Sequence, residues 1–141
     1  MFATRNSAAQ AYARVGVETG VAAASPHKLI VMLFDGALLA IANAGLYMQR
    51  KEIANKGRSI SHAIDIINSG LKASLDKNTG GELAEKLDAL YDYMSTRLLH
   101  ANMHNDKQAL DEVARLLGEI KSAWEEIAND PAVNGAKQVA A

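Results

Sequence analysis

The chain has 141 residues and a net charge of −1, with a pI near 6.4, a size that suits one domain with its own hydrophobic core. It contains no cysteine, which excludes disulfides and thiolate metal ligands and favours a reducing compartment such as the cytoplasm. Its basic residues form no run longer than Arg50-Lys51, which argues against nucleic acid as a partner.

Residues 1–24 are mostly small or polar and cannot build a core alone. Their larger apolar side chains include Tyr12 and Val15. We expect this segment to be a flexible strap or a short helix that lies on the rest of the chain. It lacks the order of charged, apolar and small residues that makes a signal peptide, which argues against secretion by that route.

The first strong helix signal is Ser25-Pro26, because serine caps helices and proline suits their first position. The predicted helix runs to about Arg50. Residues 29–48 carry a single charge, Asp35, and are long enough to cross a bilayer. An aspartate at the centre of a membrane helix costs roughly 2.5 to 3.5 kcal/mol, so we predict a helix buried by protein and no membrane insertion.

Apolar residues surround this first helix almost completely, in two stripes. The first stripe consists of Leu29, Leu33, Gly36, Ala40, Ala44 and Tyr47, and the second of Val31, Phe34, Leu38 and Ile41. One stripe can face a bundle core. The other needs cover from flanking helices, from residues 1–24, from a partner or from another copy of the chain.

Three more helical stripes follow, from Ile53 to Leu75, from Leu83 to Ala101 and from Leu110 to Ile127. The segment Thr79–Glu82 reads as a capping box that opens the third helix. Asn105 or Asp106 can cap the fourth helix, and Asp130-Pro131 ends it.

Four helices joined by short loops predict an all-α fold, an antiparallel four-helix bundle with an additional N-terminal strap or short helix. The bundle is expected over residues 25–130, with a loose tail at residues 131–141.

The sequence offers no assembled catalytic, cofactor or metal site. None of the four histidines follows a glutamate by three residues, as di-iron bundles require. His100 and His104 can share a helix face, but two histidines without a carboxylate or cysteine rarely hold zinc. Gly80-Gly81 lacks the Lys-Ser/Thr of a phosphate loop. We therefore predict a binding protein that is not an enzyme.

The third helix carries side chains suited to a partner. Tyr91 and Tyr93 flank Met94, and tyrosine and methionine both suit interaction surfaces, although a half-exposed core edge explains them equally. Arg97 lies near the same stripe. We predict that it pairs with Asp35, since a buried charge needs a partner.

Several motifs, read together, resemble the FliS family of flagellar secretion chaperones over residues 8 to 127. They are Ser25–Ile30, Met32–Ala37, Gly80–Ala84, Leu90–Met94, Arg97-Leu98, Ala101-Asn102, Asn105-Asp106 and Ala123-Trp124. The family's N-terminal tyrosine segment is matched at Ala11–Ala13 and Val15, although Ala8 and Ala9 stand where a larger apolar residue is frequent.

The resemblance implies a cytoplasmic chaperone that binds the C-terminal amphipathic segment of flagellin, prevents premature polymerisation and aids type III flagellar export. A flagellar export-gate protein and an anti-sigma factor are left open as further partners. The resemblance and the helix faces together place client contacts on Tyr12, Val15, Leu29, Met32, Leu33, Gly36, Tyr91, Tyr93 and Met94. The alternative is a structural or regulatory helical-bundle protein, such as a homodimer, that pairs through the second stripe of helix one.

Overall fold

The computed structural model describes residues 25–128, and within this range the chain forms helices and no β-strand. The elements are α1 (Pro26–Gln49), α2 (Ile53–Asp65), which continues as a π-helical segment (Ile66–Lys72), α3 (Lys77–His104) and α4 (Lys107–Ala128). In these residues α1 and α3 each pack against α2 and α4 and lie diagonally from one another. The predicted all-α four-helix bundle is confirmed. The predicted strap (residues 1–24) and tail (131–141) lie outside the described residues.

The start of α1 follows the sequence signal. The backbone N–H of Lys28 donates to the Ser25 hydroxyl oxygen at 3.2 Å, and Pro26 occupies the first helical position. The helix ends at Gln49, and Lys51 adopts a left-handed backbone with φ of 60° that turns the chain towards α2. The predicted helix from Ser25 to about Arg50 is confirmed.

The start of α3 differs from the prediction. The Asp76 carboxylate accepts the backbone N–H groups of Asn78 and Thr79, both at 3.1 Å, and the Thr79 hydroxyl donates to the same carboxylate. Gly81 then interrupts the helix with φ of 54° and ψ of −128°. The predicted capping box at Thr79–Glu82 is therefore wrong, because the aspartate that precedes it takes the capping role and Thr79 serves as one of its donors.

Asn105 and Asp106, the two residues predicted to cap the fourth helix, have different roles in the turn between α3 and α4. Asn105, with φ of 51°, closes α3 in the left-handed conformation that suits asparagine. The Asp106 carboxylate accepts the backbone N–H of Ala109 at 3.3 Å and so caps α4.

Both stripes of α1 contribute to the core. Leu33, Ala40 and Ala44 of the first stripe are buried, and so are Phe34 and Ile41 of the second. The bundle's own helices thus bury Phe34 and Ile41 of the second stripe, while Val31 and Leu38 are half-buried. Although α1 is long and apolar enough to cross a membrane, with a mean hydropathy of 2.0, it packs here as a bundle helix.

Two close contacts fix the bundle's register. A Cβ atom at Gly70 would lie 3.0 Å from a methyl carbon of Leu33, so glycine lets the π-helical segment approach α1 closely. At the other end of the bundle, the buried Lys56 ammonium donates to the Asn102 carbonyl at 2.9 Å and to Asn105 Oδ1 at 2.5 Å. A positive charge placed there stabilises the carbonyl-rich end of α3.

Candidate functional site: an apolar cleft at one end of the bundle

An apolar cleft of about 380 Å³ opens where the first turns of α1 and α3 meet the end of the π-helical segment and the last turns of α4. It is lined by Ile30, Phe34, Leu71, Ser74, Leu75, Asp76, Thr79, Gly80, Leu83, Ala84, Leu87, Tyr91, Ile120 and Trp124. Three helices (α1, α3 and α4) and the π-helical segment contribute, because their ends meet at this end of the bundle. The shape and lining suit the apolar side chains of a partner.

The cleft has a rigid floor and an exposed lip. Phe34, Leu71 and Tyr91 are almost fully buried and belong to the core cluster. Leu83, in the first turn of the helix that resumes after Gly81, is 63% exposed. A large apolar side chain this exposed at the rim of an apolar cleft is a feature of binding surfaces.

One wall of the cleft is fixed by an aromatic stack. The Trp124 indole lies on the imidazole of His27 with ring centroids 4.6 Å apart and planes 6° apart. Its N–H also donates to the His27 carbonyl oxygen at 3.2 Å. The described residues begin two positions before His27, at Ser25.

The interior of the cleft is electrically neutral. Burial raises the pKa of Tyr91 to about 12, so its phenol stays protonated at physiological pH. Asp76 is the one carboxylate among the lining residues, and it lies at the exposed edge. Asp76 accepts hydrogen bonds from the Thr79 hydroxyl and from the backbone N–H groups of Thr79 and Asn78, and these hold the pKa of its carboxyl below the usual value. The interior therefore favours uncharged, apolar groups.

A polar network lies elsewhere, between α3 and α4. The Tyr93 hydroxyl donates to one carboxylate oxygen of Glu112 at 2.6 Å, and Arg97 Nε donates to the other at 2.8 Å. These hydrogen bonds from Tyr93 and then Arg97 hold the pKa of Glu112 below its usual value. The network fastens the two helices to each other and faces solvent.

The predicted Asp35–Arg97 ion pair is wrong. The Asp35 carboxylate is half exposed and lies 2.6 Å from Lys121 Nζ on α4, while Arg97 binds Glu112. The reason is topological, since α1 and α3 occupy diagonal corners of the bundle and cannot bring these side chains together.

The residues predicted to contact the client do not lie together on one surface. Tyr91 alone among them lines the cleft. Leu33 and Met94 are enclosed by the bundle's own helices, at 6% and 0% exposure. The other predicted contacts on described residues, half-buried or exposed outside the cleft, are Leu29, Met32, Gly36 and Tyr93. Tyr12 and Val15 lie outside the described residues.

Most of the cleft was not anticipated as a surface. Leu75 ends one helical stripe and Leu83 begins the next, and they lie close to the Asp76 cap and the Gly81 break. Apolar residues at the end of a stripe, beside a helix cap or a helix break, are the sequence signal that could have indicated an open site.

The two histidines of α3 lie next to each other at its C-terminal end. The His100 and His104 rings are 4.6 Å apart, and His100 Nε2 lies 3.1 Å from the Asp106 carboxylate. Across residues 25–128 no three metal-ligating side chains gather in a way that could hold an ion. The pair belongs to the polar end of α3.

Comparison with known proteins gives a consistent result. The family described as "Flagellar protein FliS" matches residues 8–131. The chain is 52% identical over 121 residues to the flagellar secretion chaperone FliS of Salmonella typhimurium strain LT2, covering 86% of this chain and 90% of that relative. It is 46% identical over 133 residues to the protein of the same name from Escherichia coli K12, covering 94% and 96%. The Bacillus subtilis strain 168 relative is 32% identical over 109 residues, covering 77% and 80%.

Proposed function

Because the chain belongs to the FliS family of flagellar secretion chaperones, we propose that it is a flagellin-specific export chaperone of the bacterial cytoplasm. In this proposal it binds the C-terminal amphipathic segment of flagellin, prevents premature polymerisation and aids type III flagellar export. It acts by binding rather than by catalysis.

The observation that carries this proposal is the apolar cleft. An amphipathic helix binds a groove through apolar side chains spaced three or four residues apart. A volume of about 380 Å³ is at the small end of the roughly 300–1,000 Å³ typical of binding pockets. The cleft therefore accepts a few anchoring side chains while the client helix lies across its mouth, against Leu83.

Covering the client's apolar face explains how such binding prevents polymerisation. Helices that assemble through that face cannot do so while the chaperone holds it. A client that orders as it binds loses conformational entropy, so the affinity is lower than the buried area would suggest. That lower affinity is compatible with release during export.

The cleft is too small for a whole client segment, so further contacts are needed along the bundle. Leu29, Met32, Gly36 and Tyr93 remain predicted contacts for the parts of the client outside the cleft. Tyr12 and Val15 remain a predicted strap that the client displaces, and the support for this is that the chain enters the bundle at Ser25, beside the cleft wall. The export-gate protein and the anti-sigma factor remain predicted partners.

The direct test is calorimetric titration of the purified chain with a peptide covering the C-terminal segment of the cognate flagellin. We expect one-to-one binding with a negative heat-capacity change, the mark of apolar burial. Leu83→Glu places a charge at the lip of the cleft and is expected to weaken binding at least roughly tenfold.

The matched control is Leu99→Glu, since Leu99 is 54% exposed on the same helix and does not line the cleft. This variant should bind as the wild type does. Equal loss in both variants would reject the cleft as the site, and absence of wild-type binding would reject the flagellin role.

A further inference from the structure

A short polar turn, residues 76–80, forms one edge of the cleft. All five residues are exposed, and Asp76, Thr79 and Gly80 line the cleft. The Asp76 carboxylate accepts the backbone N–H groups of Asn78 and Thr79, and the Asp76 carbonyl oxygen accepts that of Gly80 at 2.7 Å. Because these hydrogen bonds lie within the turn, the turn can move without breaking them.

Few contacts hold this turn against the bundle. It carries no large apolar side chain that could pack into the core. Among the described residues, one side-chain ion pair joins the turn to another part of the chain, from Lys77 Nζ to the Asp88 carboxylate at 3.2 Å. The Lys77 side chain is 56% exposed, and exposed ion pairs contribute little to stability. Lifting the turn therefore takes little stability from the bundle.

The turn covers Ala84 on the inner face of α3. A Cβ atom at Gly80 would lie 2.8 Å from the Cβ of Ala84, so the backbone of the turn passes directly over this side chain. Ala84 is only 4% exposed, although the adjacent Leu83 is 63% exposed. Ala84, Leu87 and Tyr91 follow one another at helical spacing and all line the cleft. Moving the turn away from Ala84 would extend the cleft along α3.

Gly81 connects the turn to the rest of α3 and has the properties of a hinge. Its φ of 54° and ψ of −128° interrupt the helix at this point. Residues with a side chain rarely adopt such a conformation, whereas glycine can adopt it and leave it readily. A Cβ atom at Gly81 would meet no heavy atom within 4 Å. The backbone conformation, rather than lack of space, therefore requires glycine here.

We propose that the 76–80 turn is a hinged lid, which rests on Ala84 in the free protein and swings away about Gly81 when an apolar helix enters the cleft. Opening gives the entering helix room that about 380 Å³ does not provide. The bundle stays folded, because the motion breaks one exposed ion pair and uncovers one alanine. That the entering helix belongs to flagellin rests on the proposed function, whereas the hinge motion does not.

Cysteine labelling measures the opening, since the chain has no cysteine of its own. Ala84→Cys and Ala37→Cys replace buried alanines that are 4% and 0% exposed, the second in the middle of α1. A bulky maleimide should modify Ala84→Cys roughly a hundredfold faster, because the lid opens locally while residue 37 becomes accessible only when the bundle unfolds. Equal rates, once each is corrected for the stability of its variant to urea, would overturn the proposal.

Gly81→Ala tests the hinge, and Gly118→Ala is its control. Neither added Cβ meets a heavy atom within 4 Å, but only Gly81 has a positive φ. Alanine is unfavourable at a φ of 54°, so Gly81→Ala should shift the lid towards its open state and raise the labelling rate of Ala84→Cys roughly tenfold. Gly118→Ala should leave that rate unchanged. No acceleration by Gly81→Ala, or an equal acceleration of Ala37→Cys, would reject the hinge.

Calorimetry with the flagellin C-terminal peptide separates this inference from the proposed function. If the lid opens for the client, Gly81→Ala should bind the peptide roughly tenfold more tightly than the wild type, because more of the free protein is already open. Equal affinities would reject the coupling between lid and client. Absence of wild-type binding would reject the flagellin role, and the labelling rates would still decide whether the lid opens.

Discussion

Trp124 and His27 join the last turns of α4 to the first turn of α1, with stacked rings 4.6 Å apart and an indole N–H that donates to the His27 carbonyl at 3.2 Å. The two residues are 97 positions apart in sequence. The contact closes the wall of the cleft close to Ser25, the first described residue. The shape of the cleft therefore depends on how α1 and α4 pack against each other.

Trp124→Phe is expected to lower the free energy of unfolding by about 1 kcal/mol, because phenylalanine keeps a ring for stacking but loses the hydrogen bond to the carbonyl. Urea unfolding followed by circular dichroism measures this difference. Trp124→Ala should lose several times more, since it also removes the ring from the partly buried wall. Equal stability of Trp124→Phe and the wild type would show that the indole N–H contributes nothing.

Trp124 is also the chain's single tryptophan and lines the cleft, so its fluorescence reports on the site. Binding of a client peptide in the cleft should shift its emission to shorter wavelength, because water leaves the partly exposed ring. Titration of the peptide should give the same dissociation constant by fluorescence and by calorimetry. If calorimetry detected binding while the Trp124 emission stayed unchanged, the client would bind elsewhere on the bundle.

The helical architecture could be predicted because each local signal acts within one helix or turn. Ser25-Pro26 starts α1 whatever surrounds it, and Asp106 caps α4 through a contact three residues away. The stripes likewise identify Phe34 and Leu98 as apolar positions that need burial. Such evidence lies within a few residues of sequence and does not depend on the arrangement of the helices.

The site could not be predicted in the same way, because it depends on how the helices are arranged. The sequence places Tyr91 and Met94 on neighbouring parts of the third helix but does not show which of them is accessible. In the structure Tyr91 lines the cleft and Met94 is fully buried in the core. The pairing of Asp35 with Lys121 requires knowing which helices are diagonal. The cleft itself exists only where four helix ends meet, and the stripe ends at Leu75 and Leu83 do not by themselves show that these helix ends come together.

Lys56→Met should lower the free energy of unfolding by about 2 kcal/mol. The buried ammonium donates to the Asn102 carbonyl and to Asn105, and methionine keeps the apolar stem but leaves both acceptors without this donor. Urea unfolding of the variant against the wild type provides the measurement.

The control for Lys56 is Lys72→Met, since Lys72 pairs with Asp92 at the surface at 2.6 Å. Exposed ion pairs contribute roughly 0 to 1 kcal/mol, so this variant should lose much less stability. Equal losses in the two variants would contradict the role of Lys56 at the end of α3.

Glu112→Gln should reduce stability in a pH-dependent way. Hydrogen bonds from Tyr93 and Arg97 hold the pKa of Glu112 below its ordinary value of 4.5, so the folded state favours the ionised carboxylate. The resulting stabilisation is fully present above pH 4.5 and is lost as the pH falls through the lowered pKa. The difference in urea midpoint between wild type and variant should therefore be largest at neutral pH and shrink in acid. Glu119→Gln removes an exposed carboxylate of the same helix that lies outside this network, and it should change the urea midpoint at neutral pH much less than Glu112→Gln does. A difference for Glu112→Gln that stayed constant from neutral to acid pH would mean that its charge does not stabilise the α3–α4 contact.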